Sequence, residues 1–154
     1  MNSKEQDIFF MRLALSEASL AFSEGEVPVG AVLVVNGYVH ARARNAREQM
    51  KDPMAHAEVM VLREGARAAD SWRLTDATLY VTKEPCVMCA GAMINARLGR
   101  LVYGCKDIKG GAVSSLYEIL NDGRLNHRVE TVWGVLEDEC AGILKKFFQE
   151  RRES

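Results

Sequence analysis

The sequence predicts an α/β domain in which one mixed five-stranded sheet lies between two layers of helices. Three observations point there. Asn36-Gly37 separates two apolar, strand-like runs and is the strongest short-range signal for a β-hairpin, so the first two strands should pair antiparallel. Downstream, helix-like and strand-like segments alternate, the arrangement that joins parallel strands through helices covering both faces of a sheet. No internal repeat, low-complexity tract or Gly/Ser-rich linker interrupts the 154 residues, so one domain spanning 1–154 is expected.

Taken in order, residues 4–22 read as an amphipathic helix. Ile8, Met11, Leu15, Ala18 and Phe22 recur at spacings of three and four, and Ser3 with Gln6 has the form of a capping box. The hairpin strands cover 31–35 and 38–43. After Pro53 the pattern turns helical over 55–69, and 78–82 is a strand. A helix over 86–96 is begun by Pro85. A strand at 100–103, a short helix at 114–120 and a last strand at 130–134 follow. Ile143, Leu144, Phe147 and Phe148 mark a C-terminal helix, and because neighbours on a helix point different ways, at least one of the two phenylalanines should be core.

Composition narrows the function classes. With 48% hydrophobic and 27% charged residues the chain is an ordinary globular protein. Its first seven residues carry charges where a secretory signal needs an apolar stretch. The longest apolar run, 27–35, is broken by Pro28 and Gly30 and is too short to span a bilayer, so a cytoplasmic protein with no membrane partner is expected. A net charge of −1 supplies no protein-wide basic field, so any polyanion must meet a local basic patch. Candidates are Arg42, Arg44, Arg47 and Lys51 on one rim and Lys106 and Lys109 on another. Four cysteines are too few for a disulfide scaffold and, in a reducing compartment, point to metal or catalysis.

Two short segments carry the chemistry: His56-Ala57-Glu58 and Pro85-Cys86-Val87-Met88-Cys89. Cys86 and Cys89 lie three apart, on one face of a helix start, where the helix dipole favours thiolate. His56 would be a third ligand, brought in by the fold. Three protein ligands leave a tetrahedral zinc ion one open position, and zinc lowers the pKa of water there to about 7. Attack on an amidine-like carbon also needs protons moved to the ring nitrogen and to departing ammonia. Glu58, two residues from His56, suits that shuttle, a role typically worth about 10²–10⁴ in rate.

Competing readings exist for these residues. A lone C-x-x-C can be a thioredoxin-like redox pair, but that leaves His56 and Glu58 without a task. A closed structural zinc site needs a fourth ligand from Cys105, Cys140, His40 or His127. Cys105 and Cys140 read better as packed small hydrophobes, and His40 as an ordinary strand residue. The joint pattern, H-x-E followed by P-C-x-x-C, matches an already described class, the zinc nucleobase deaminases.

Beyond the zinc pattern the chain resembles bacterial tRNA-specific adenosine deaminases of the cytidine deaminase superfamily over nearly its whole length. The resemblance runs through 26–33, 55–58, 84–92, Asp107-Ile108-Lys109 leading to Gly111-Ala112, 126–130, and Phe147-Phe148. It implies a three-layer cytidine-deaminase-like fold and a homodimer that converts the wobble adenosine of a tRNA anticodon to inosine. One zinc ion per subunit would be held by His56, Cys86 and Cys89, with Glu58 as proton shuttle. It further implies that Asn45 contacts the base and that Val27 and Ala57 wall the base pocket. Asp107 would contact the anticodon loop, and Phe148, with Arg151 and Arg152, would lie in a C-terminal helix that approaches the RNA. The chain departs from some members in carrying Arg44 and Arg47 where an aromatic and a proline occur. Two rivals stand beside this reading. One is deamination of free guanine, cytosine or a nucleoside. The other is a zinc-stabilised RNA-binding module without turnover, for which Glu58 would have no purpose.

Overall fold

Asn36 and Gly37 take φ of 51° and 78°, the two left-handed angles that a tight two-residue hairpin turn requires. They join β1 (Gly30–Val35) to β2 (Tyr38–Arg44), antiparallel with Val35 opposite Tyr38 and one irregularity at Leu33/Val34. The computed structural model describes residues 1–153. On its other side β1 pairs antiparallel with β3 (Ala77–Lys83). Two parallel neighbours, β4 (Arg100–Cys105) and β5 (Glu130–Trp133), complete a mixed sheet of order β2-β1-β3-β4-β5.

The strands alternate between two separate cores, as the period of two demands. Val32, Val34, Tyr80 and Val102 face the layer made by α1 (Ser3–Ser23) and α5 (Glu137–Glu153). Ala31, Leu33, Leu79, Val81, Leu101 and Tyr103 face the layer made by α3 (Ala57–Ala69) and α4 (Val87–Asn95), with α2 (Arg47–Met50) a single turn between β2 and α3. Leu33 meets α3 at Gly65, where an added Cβ would sit 2.0 Å from the leucine Cδ2. Both faces are therefore covered, giving the three layers expected from the sequence. Among the described residues no helix is long and apolar enough to cross a membrane.

Three details differ from the sequence reading. Asn2, rather than Ser3, caps α1, its Oδ1 accepting the Glu5 N–H at 2.8 Å. The buried face of α1 is rotated toward Phe10, Met11, Ala14, Ala18 and Ala21, with Asp7 and Glu17 on it. Periodicity missed this face because two of its members are acids, each matched to arginine. Residues 114–120 form turns ending in a 3₁₀ turn at Ile119–Asn121 instead of an α-helix, because the Ser114 and Ser115 N–H groups bond the Glu84 carboxylate.

Asp7 pins α1 to the sheet. It accepts from Tyr80 Oη at 2.8 Å and from both Arg100 Nη atoms at 2.9 and 2.7 Å. Burial alone would raise its pKa, but the Arg100 and Tyr80 hydrogen bonds outweigh it and hold the carboxyl below its ordinary value. Arg100→Gln leaves this acid buried without its charge partner and should destabilise the fold by about 2–4 kcal/mol at neutral pH. A depressed folded pKa stabilises above the unfolded value of 3.8 and stops doing so as pH falls through the folded one. Urea titrations should therefore show the gap between parent and variant closing on acidification; a gap independent of pH would contradict the assignment.

Candidate active site

The C-terminal end of β3, the middle strand, and the starts of α3 and α4 converge at one end of the strands. His56 occupies the N-cap position of α3 and Cys86 that of α4, and neither side chain caps its own helix. Both are thus free to turn toward each other. Cys86 Sγ lies 3.6 Å and Cys89 Sγ 3.5 Å from His56 Nδ1, and the three ligand atoms fall within 4.8 Å of one another. Ligands about 2.0–2.3 Å from a tetrahedral ion sit roughly 3.3–3.8 Å apart, so this donor set fits a metal with N and S preferences. The hydrogen bond from Cys89, then that from His56, pushes the Cys86 thiol down to about 3 against the opposing effect of burial. Thiolate is the species such an ion binds. The His56 imidazole is raised chiefly by its hydrogen bond with Cys86 and further by the charge of Glu58.

None of the other candidate ligands joins the trio. Cys105 and Cys140 are buried in the core on the opposite face of the sheet, as the sequence reading expected. His127 Nε2 bonds the Leu98 carbonyl at 2.8 Å, and His40 lies by Val35 and Ala77, at the other end of the strands. The trio keeps an open side, and that side faces a cavity of about 220 Å³.

Glu58 borders the same cavity with only 4% of its surface exposed. Burial pushes its carboxyl above the ordinary carboxylate range, and the neighbouring Cys86 charge adds to this while His56 opposes it. A buried acid of raised pKa at a cavity wall is suited to holding and returning a proton. Asn45, at the end of β2, accepts the Ala57 N–H at 2.9 Å through Oδ1 and so caps α3 from a distance while also bordering the cavity. Val27 and Val29 supply an apolar wall and Phe148, 44% exposed, another, while its neighbour Phe147 is buried.

Two predicted site residues stand apart. Ala57, the first residue of α3, is fully buried in the core and is absent from the cavity lining; its N–H reaches the site through Asn45. Asp107 lies outside the lining but ion-pairs with a residue inside it, Lys83, at 3.2 Å. Of the expected basic rim, Arg47 borders the cavity, whereas Arg44 is held by Glu24 at 2.7 and 3.1 Å and by Glu17 at 3.4 Å. Arg42 is also paired with Glu17, at 3.6 Å. These two arginines fasten β2 to α1.

Lys83, Glu84 and Val29 line the cavity without having been singled out in the sequence. A signal existed for Lys83. It continues the phase of Leu79 and Val81, which face the α3/α4 core, so a charge at that position departs from an apolar pattern. Glu84 is 1% exposed, and its two carboxylate oxygens collect the N–H groups of Asp107, Val113, Ser114 and Ser115 at 2.8–3.1 Å. Such nonlocal bonds have no periodic signature.

Residues 4–152 match the family model of the MafB19-like deaminases. A tRNA-specific adenosine deaminase of Bacillus subtilis (strain 168) is 50% identical over 148 residues, covering 96% of this chain and 92% of the relative. One from Haemophilus influenzae is 46% identical over 150 residues, covering 97% and 87%. A solved structure from work on A-to-I editing by tRNA:A34 deaminases at the wobble position of transfer RNA superposes with a TM-score of 0.85 at 46% identity, covering 88% of this chain and 99% of that one. With the His/Cys/Cys trio, the buried acid and these relatives together, the chain belongs to the tRNA-specific adenosine deaminase family.

Proposed function

We propose that this chain hydrolyses the exocyclic amino group of the wobble adenosine in a tRNA anticodon, releasing ammonia and leaving inosine. The observation that carries the reading is a buried carboxylate, Glu58, beside a three-donor soft metal site open to a cavity. His56, Cys86 and Cys89 would hold one zinc ion per subunit, which would supply Lewis acidity toward water near neutral pH. Glu58 takes one proton from the attacking water and passes it to the ring nitrogen, then takes the second from the added hydroxyl and passes it to the amine that leaves. The water's oxygen becomes the new carbonyl, so atoms balance with one water consumed and one ammonia released. Asn45, its Oδ1 held by the Ala57 N–H, keeps an amide N–H to donate to the base. Val27 and Phe148 sandwich the base from apolar sides, and Asp107 meets the anticodon loop beside it.

An anticodon base suits such a site because it is already partly unpaired, so turning it into a cavity takes less energy than extracting it from a duplex. The outer face of α4 presents half-buried Met88, Gly91 and Ala92 and exposed Val87, an uncharged strip consistent with the homodimer that the family resemblance implies. The soluble setting of tRNA agrees with a cytoplasmic enzyme that needs no membrane.

The deciding assay compares anticodon stem-loops with free guanine and free nucleosides, reading the nucleoside content of the product. Inosine in RNA is expected; turnover of free guanine with none in RNA rejects the proposal. RNA affinity should also fall steeply with added salt, since phosphate contacts release counterions. Affinity flat across the titration would remove the RNA partner.

A further inference from the structure

Lys83 is the last residue of β3, and its side chain enters the cavity that also holds Glu58 and Cys86. Its ammonium is 3.2 Å from the Asp107 carboxylate, and the two side chains remain 30% and 22% exposed at the cavity mouth. The two halves of this pair are held very differently. Asp107 is fixed without the lysine: its Oδ1 accepts the Lys109 and Gly110 N–H groups, both at 3.2 Å. Its own N–H is bound by Glu84 Oε1 at 3.0 Å. Lys83, by contrast, is a long stem whose one ion-pair partner among the described residues is Asp107. Glu84 does not compete for it, since its oxygens are filled by the N–H groups of Asp107, Val113, Ser114 and Ser115 and by the Ser115 hydroxyl. A partly exposed ion pair contributes little, and losing the lysine would leave Asp107 still hydrogen-bonded.

We propose that Lys83 is a substrate-binding residue whose ammonium exchanges Asp107 for a phosphate oxygen of the RNA backbone next to the nucleotide seated in the cavity. This rests on the RNA reading above and adds to it a specific anion contact inside the mouth. The protein has no general basic field, with a net charge of −1, so individually placed cations must provide the phosphate attraction. Lys83 is one that faces the reacting nucleotide rather than the outer rim. In the free protein Asp107 serves as a placeholder, holding the ammonium where the phosphate later sits.

The test uses full-length protein, an anticodon stem-loop, and two further stem-loops with an uncharged methylphosphonate on either side of the target adenosine. Lys83→Met keeps the stem and removes the charge. It should raise KM roughly tenfold, lower the slope of log affinity against log salt by about one, and leave the loss on KM rather than kcat. Lys83→Arg should restore most of the affinity. One of the two methylphosphonates should weaken binding by the parent by the same factor, with no further penalty in Lys83→Met. If the methionine variant does not fold, Lys83→Gln takes its place in the same comparison. An unchanged KM, a loss confined to kcat, or a methylphosphonate penalty equal in parent and variant would overturn the proposal. Absence of inosine from RNA with the parent protein would instead reject the functional reading beneath it, so the two failures are told apart.

Discussion

Glu58→Gln is expected to abolish nearly all deamination while the protein stays folded and metal-loaded. The substitution preserves shape in a position that is 4% exposed and replaces a buried acid by a neutral amide. Burying an amide is less unfavourable than burying a carboxylate, so the thermal midpoint should hold or rise. None of the three donors is touched, and metal content should remain near one per chain. What disappears is the group proposed to move protons between water, ring nitrogen and leaving amine. General acid/base catalysis of that kind contributes about 10²–10⁴, and kcat should fall by at least that range. Glu58→Ala should lose activity in the same way, with a small cavity as its added structural effect. A Glu58 variant as active as the parent would end the mechanism and revive the non-enzymatic alternative.

Cys86→Ala should behave in the opposite sense, losing metal and stability together. Cys86 is the donor whose thiol is pushed furthest toward thiolate, and it sits at the N-cap of α4 beside His56 from another helix. Removing it leaves two donors, too few for a tight tetrahedral site, so bound metal should drop below about a tenth of the parent's. A ligand at 100 times its dissociation constant stabilises by about 2.7 kcal/mol, and for a chain of this size each kcal/mol moves the midpoint by about 2–4 °C. The variant, and the parent after chelation, should therefore melt about 5–10 °C below the loaded parent. Calorimetry with metal analysis checks both. A variant that melts with the parent and keeps its metal would show that the ion lies elsewhere.

The features legible in the sequence were those written locally. Asn36-Gly37 dictated the turn because its geometry demands residues that tolerate positive φ. His56, Glu58, Cys86 and Cys89 were visible because metal and proton chemistry restrict residue type so strongly. Where selection of a residue depends on a distant partner, the pattern was silent or misleading. The buried face of α1 was misjudged because Asp7 and Glu17 count as polar until Arg100, Arg42 and Arg44 are known to reach them. Residues 114–120 resembled a helix because nothing local announces that Glu84 draws their backbone N–H groups into turns. Arg44 looked like a cation for phosphate and is a tether to α1. Phe147 and Phe148, by contrast, were separable in advance, since adjacent residues on a helix cannot share a direction.

The trio's donors come from two helix starts, with Cys86 30 residues beyond His56 and Cys89 33 beyond it. Neither local segment owns the site, and β1 and β3 must find each other, with α3 docked on their shared face, before imidazole and thiolates can meet. Such long-range pairing is slow compared with forming either helix alone. Metal capture would thus report on completed topology, since a nascent or misassembled chain offers at most a loose pair of thiols. Occupancy of the trio would then serve as a certificate of correct assembly.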